Sequence, residues 1–214
     1  MSQVTTHADL TLSDLFEHFG PIPVARIRTT PSPGMATEQD VVDIETHEDR
    51  LFELFNGVLV EKDMGHYESY IATLIGTLLS NFVNDHDLGY LVGADGMLKL
   101  FPGEVRIPDV GFINWNKLPD RRVPREPIPL IAPDLVVEVI SKGNTSREME
   151  RKLSEYFEAG VRLVWYVYPN TSTARAFTSV EKYQELTIAD SFDGGDVLPG
   201  FQLALSRLFD ESKK

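Results

Sequence analysis

From Asp134 to Ser141 the chain reads Asp-Leu-Val-Val-Glu-Val-Ile-Ser, an apolar run with one glutamate, Glu138, set inside it. A short run this rich in β-branched residues fits a strand buried on both faces, because a strand with one wet face alternates apolar and polar residues. An acid inside such a strand loses its hydration and needs a cation or a hydrogen-bond donor in return. Upstream, Arg106-Ile107-Pro108-Asp109 leads into a second apolar stretch, so Asp109 and Glu138 fall on what read as neighbouring strands. Downstream, Thr145-Ser146-Arg147-Glu148 is a capping-box pattern opening a helix that Gly160 ends, and Lys152 lies on it.

Two carboxylates and one amine are what metal-assisted hydrolysis of a phosphodiester requires. Hard divalent ions such as Mg2+ take carboxylate and carbonyl oxygens and keep water for reaction, and Asp109, Glu138 and the Val139 carbonyl suit such an ion. The apolar face of the Thr145 helix is Met149, Leu153, Tyr156 and Phe157. At 3.6 residues per turn, Lys152 lies within about 60° of both Met149 and Tyr156, at the margin of that face. A lysine there is able to orient water or stabilise charge on a phosphate. Plainer readings stand beside these. Glu138 also fits a buried structural pair with an arginine such as Arg106, and Lys152 fits an i,i+4 surface pair with Glu148.

The remaining chain reads as support. Asp9 to Phe19 has the pattern of a short amphipathic helix capped by Ser13, and Gly20 to about Glu48, rich in Pro, Thr and acids, reads as an irregular arm. Leu51–Phe55 and Val58–Glu61 flank Asn56-Gly57, the preferred two-residue hairpin turn. His66 to about Val83 carries Tyr70, Ile71, Leu74, Leu78, Leu79 and Phe82 at helical spacing, a long helix with one broad apolar face. Further strands are expected at 88–92, 97–101, 106–115, 161–168 and 173–177. The order predicts a mixed α/β layer fold, divided as an N-terminal helix and arm (1–48) and a body (49–214).

The chain has no cysteine, which removes disulfides, thiolate zinc sites and cysteine nucleophiles. No secretory signal and no apolar run of membrane-spanning length is visible, so a cytoplasmic protein is expected. A net charge of −13 argues against a polyanionic partner. Between Lys99 and Lys152, however, ten Lys/Arg face eight Asp/Glu, and only that region avoids strong repulsion of a phosphate backbone. Glu53 is a further candidate ligand, although a lone strand glutamate ordinarily faces solvent. His66, Lys142, Arg121 and Arg122 are candidate substrate contacts, the arginines within the loop Lys117–Arg125 that Asp120 interrupts.

Phe52-Glu53-Leu54-Phe55-Asn56-Gly57, Val105-Arg106-Ile107-Pro108-Asp109-Val110 and Asp134 to Ser141 resemble three motifs of one family. Lys152-Leu153-Ser154-Glu155-Tyr156 with Ala159-Gly160-Val161, and Asp193 to Phe201, resemble two more. Together they resemble the bacterial family of putative restriction endonucleases within the PD-(D/E)xK nuclease superfamily. The resemblance implies a restriction-endonuclease-like core, a mixed sheet flanked by helices, with Asp109 and Glu138 as metal ligands. The superfamily lysine normally lies two residues after the second acid, where this chain has Ile140; the family's lysine maps instead onto Lys152. Glu53 and His66 match an acid and a histidine of the family. Lys142 replaces a usual proline, Glu148 a usual aspartate, Tyr168 an acid before Pro169 and Val58 an acid after the hairpin glycine. The expectation is a Mg2+-dependent DNA endonuclease, with Mn2+ as a substitute, acting as a homodimer. The alternatives are a catalytically silent nuclease-fold protein that binds a protein or nucleic acid, and a nuclease acting on RNA.

Overall fold

The computed structural model describes residues 10–209. In chain order its elements are α1 (Leu12–Phe19), a 3-10 turn (Val24–Arg26), α2 (Glu38–Glu48), β1 (Phe52–Phe55), β2 (Val58–Glu61) and α3 (His66–Asp85). There follow β3 (Gly89–Val92), β4 (Leu98–Phe101), β5 (Glu104–Arg106), β6 (Val110–Asn114), a 3-10 turn (Trp115–Lys117), β7 (Leu135–Val139) and α4 (Ser146–Glu158). The chain closes with β8 (Leu163–Tyr168), β9 (Thr173–Phe177), β10 (Tyr183–Leu186), β11 (Ser191–Asp193), β12 (Gln202–Ala204) and α5 (Ser206–Phe209).

The central sheet has the order β10-β9-β8-β7-β6-β3, with β7 and β8 parallel and the other pairs antiparallel. It is a mixed sheet between helices. On one face, Ile71, Ile75, Leu79 and Val83 of α3 pack with Phe112, Val137 and Trp165. On the other, Met149, Leu153 and Tyr156 of α4 pack with Val136, Val164 and Tyr166. Alternation along β7 therefore sends Val137 and Val139 to α3, and Val136 and Glu138 to α4. Each fully buried aliphatic contributes about 1.5–3 kcal/mol, the driving force that carries ionised groups inside with it.

A second sheet, β2-β1-β5-β4, stands beside the first. Its hairpin forms as the sequence predicts, with Phe55 opposite Val58 and positive φ at Asn56 and Gly57 (46° and 73°). The expected strand 106–115 is instead two strands. β5 joins the second sheet and β6 the first, and the break falls at Ile107-Pro108-Asp109 because proline has no N–H to continue a ladder.

The arm is more ordered than its composition implies. It contains α2, with Thr37 and Asp40 forming a reciprocal cap, and Val41 and Ile44 pack with Leu54, Leu59 and Val105. The acidic helix buries a narrow stripe, which is why periodicity does not reveal it. The arm also lies tightly on the hairpin turn: Gly34 N–H and Ala36 N–H donate to the Gly57 carbonyl at 2.8 and 3.0 Å. A Cβ at Gly57 would meet the Gly34 carbonyl oxygen at 2.4 Å, so only glycine fits that contact. The cap of α1 is Thr11, not Ser13, paired reciprocally with Asp14. The part of that expected helix preceding residue 10 lies outside the described residues.

Candidate active site

The crossover between the two sheets places Asp109. Its backbone N–H donates to the Val137 carbonyl at 3.1 Å, and its Oδ2 accepts from Val139 N–H at 2.6 Å. Asp109 thus sits at the open end of β6 beside the last residues of β7. N–H and C=O of one strand residue point to the same side, so the Val139 carbonyl is directed to the side where Asp109 lies.

Glu138 points from β7 to α4. Its Oε1 accepts from the Tyr156 hydroxyl at 2.5 Å and lies 3.4 Å from Lys152 Nζ. Its Oε2 makes no hydrogen bond among the described residues. Lys152 is also 2.9 Å from Glu53 Oε1, which accepts from Ile107 N–H at 3.1 Å. Glu53, Asp109, Glu138 and Lys152 are all 4–5% exposed, so this is a buried constellation at the junction of both sheets and α4.

Two plainer expectations give way here. Arg106 does not pair with Glu138; it pairs with Glu155 at 2.5 Å and donates to the Leu54 carbonyl at 2.6 Å. Lys152 does not reach Glu148, which Arg26 takes in a two-pronged pair at 2.9 and 3.0 Å. Glu53, ordinarily a solvent-facing residue in an alternating strand, faces inward because α4 covers the hairpin sheet there.

Sequence reasoning missed two members. Lys62, just past β2, places its ammonium 2.8 Å from Asp109 Oδ1 and 2.5 Å from the Ile107 carbonyl. Nothing in the sequence separates it from a surface lysine. Tyr156 read as core only: its spacing sets it beside Lys152, but not its hydroxyl on Glu138.

The electrostatics follow from burial and count. Three carboxylates, Glu53, Asp109 and Glu138, face two ammoniums, Lys62 and Lys152. Burial pushes the Glu138 carboxyl up to about 7, with Asp109 and Glu53 adding to the rise and Lys152 and Lys62 opposing it. Burial also works against the charge on Glu53, but Lys152, Arg106 and the Ile107 amide hold its pKa down at about 2. Burial disfavours the Lys152 ammonium, yet Glu138 and Glu53 overcome that and raise its pKa. The surplus acid is thus concentrated on Glu138.

That surplus fits a cation. Asp109, Glu138 and the Val139 carbonyl are hard oxygen donors, the type Mg2+ and Mn2+ accept. Among the described residues no group of three or more His, Cys, Asp or Glu side chains is arranged to hold a metal. Two acids and a carbonyl match an ion that keeps several waters rather than an all-protein cage. A cleft of about 290 Å³ reaches Asp109 between Ser69, Ala72, Thr73 and Gly76 of α3 and the Val92–Ala94 turn.

The remaining candidates are more peripheral. His66 is exposed on the first turn of α3, and Lys142 is exposed on the loop after β7. Arg121 is not brought to the site: it pairs with Asp87 at 2.5 Å and lies over Trp115, at the Asn114 end of β6, opposite Asp109. Arg122 is exposed on the same loop.

A mixed sheet between α3 and α4, with Asp109 and Glu138 at the adjoining ends of β6 and β7, has the architecture of the restriction-endonuclease-like class of nuclease folds. Residues 38–206 match the Uma2 family model, described as "Putative restriction endonuclease", and the chain belongs to that family. A crystal structure of a putative nuclease belonging to DUF820 from Anabaena variabilis shares the fold, with a TM-score of 0.67 at 17% identity. The match covers 76% of this chain and 91% of that one. No curated protein matches the sequence.

Proposed function

We propose that this chain is a metal-dependent endonuclease that hydrolyses DNA phosphodiester bonds. The observation that carries the reading is the buried surplus of acid at Asp109 and Glu138, beside a lysine that both sheets and α4 hold in place. A divalent ion held there would supply Lewis acidity towards water and phosphate. Asp109, Glu138 and the Val139 carbonyl would hold it. Tyr156 and Lys152 occupy Glu138 Oε1, which leaves Oε2 as the oxygen offered to the ion. Lys152, kept charged by two acids, orients the attacking water or steadies charge on the scissile phosphate. Cutting both strands needs two such sites, which a homodimer supplies.

The net charge of −13 favours a second reading, a silent nuclease-fold protein that binds a partner. Calorimetry with Mn2+ and Mg2+ on the wild type and Asp109→Ala, followed by incubation with plasmid DNA and with RNA, separates the two. The expected result is ion binding and DNA nicking by the wild type and neither by the variant. Absence of both from the wild type, with DNA present as well as without, selects the silent reading. Cleavage of RNA alone would change the substrate and keep the mechanism.

A further inference from the structure

We infer that Lys62 is a tethered cation that holds Asp109 in place before a divalent ion arrives and yields the carboxylate when it binds. This rests on the metal reading of Asp109 given above. The Lys62 side chain is 8% exposed, so Asp109 Oδ1 and the Ile107 carbonyl, at 2.8 and 2.5 Å, stand in for its water. Its backbone is anchored on both sides. Lys62 N–H donates to the Leu51 carbonyl at 2.9 Å. The next residue, Asp63, accepts from Ser141 Oγ at 2.5 Å and from Gly143 N–H at 3.1 Å, on the loop that follows Glu138. A free surface lysine has no such seat.

Only one of the two lysines is able to change partner. Lys152 is held between Glu53 and Glu138 on a buried helix face. Lys62 has one carboxylate and one carbonyl, on a four-carbon stem whose rotamers move the ammonium by several ångströms. Asp109 Oδ2 is already committed to Val139 N–H, which leaves Oδ1 as the oxygen an ion would take. An ammonium and a divalent ion on one oxygen repel strongly at such separation in a dry site. Lys62 therefore competes with the ion, and it also keeps Asp109 oriented and neutralised until the exchange. That makes it a positioning residue that sets how tightly the ion binds.

The test is Mn2+ titration by calorimetry of the wild type, Lys62→Met and Lys62→Arg, with melting curves with and without the ion. Lys62→Met is expected to bind Mn2+ roughly tenfold tighter, a coupling of ordinary size, because the competing charge is gone. It should melt lower without metal and gain more from Mn2+ than the wild type does; Lys62→Arg should stay near the wild type. A merely structural lysine predicts the reverse, weaker binding around a misplaced Asp109, and weaker or unchanged binding overturns the inference. If Lys62→Met does not fold, the wild-type Lys62 ammonium resonance, assigned by its loss in Lys62→Arg, replaces that measurement. It should shift on adding Mg2+, and a signal unmoved at saturation overturns the exchange. A wild type that binds no ion overturns the metal reading itself; ion binding that is indifferent to Lys62 overturns this inference alone.

Discussion

Two buried ionic clusters lie next to one another in this protein, and both contain Arg or Lys facing Asp or Glu. In the first, Arg106 and Arg151 meet Glu104 and Glu155, two charges of each sign. Arg106 is fully buried, pairs with Glu155 and donates to the Leu54 and Val105 carbonyls. Arg151 spreads its guanidinium over Phe55 and Phe19 at 3.9 and 4.4 Å, and burial followed by the Arg106 charge lowers its pKa to about 10. In the second cluster two lysines face three acids. Glu53 lies within electrostatic reach of both clusters. The balanced cluster pairs charge with charge and fastens the hairpin to α4. The unbalanced one leaves acid to spare, with Asp109 lining a cleft, and that difference separates a structural brace from a candidate reaction centre.

Removing one charge from each cluster tests the contrast. Glu138→Gln should abolish cleavage of plasmid DNA in Mg2+ or Mn2+, a loss on the order of a hundredfold to a thousandfold or more. Its melting temperature should hold or rise, because a near-isosteric amide removes one of three mutually repelling acids. A variant that cleaves as the wild type does would break the assignment.

Arg106→Met should act the other way. It strands Glu155 without its main partner, at a cost of about 3–5 kcal/mol in urea unfolding, while the folded fraction keeps most of its cleavage activity. A loss of activity with unchanged stability would move Arg106 from the brace into the centre.

The smallest effect is a pH dependence, and its sign is opposite to that of an ordinary paired carboxylate. Glu138 titrates near 7 in the fold against an ordinary value of 4.5. Below that ordinary value both states carry the proton and no penalty applies. As pH rises from there towards 7, the unfolded chain releases it first, so the contribution of Glu138 to stability declines and is lowest above 7. Glu53, held at about 2, behaves conversely, and its contribution is lost only as the pH falls below about 4.5. The melting-temperature gap between Glu138→Gln and the wild type should therefore widen from about pH 5 to about pH 8 in chelator, and Mn2+ should narrow it. A flat gap would mean that Glu138 is not where the surplus acid resides.

Local rules carried much of this molecule. The Asn56-Gly57 turn, the Thr145 cap and the apolar face of α3 depend on near neighbours in the chain, so they were legible without tertiary contacts. So was the predicament of Glu138, because no arrangement of a doubly buried strand hydrates an acid in its middle. The family motifs pointed to Asp109 and Lys152 as well. Tertiary structure decided what stood opposite them. Pro108 divided one apparent strand between two sheets, which put Asp109 at their crossover. α4 covered the hairpin, which turned Glu53 inward and gave Lys152 a second acid. The end of β2 met the start of β6, which delivered Lys62 to Asp109. A sequence pattern shows which side of an element must be dry. Which charged group waits across the gap depends on how distant elements pack, and that is set by the three-dimensional fit of the whole core.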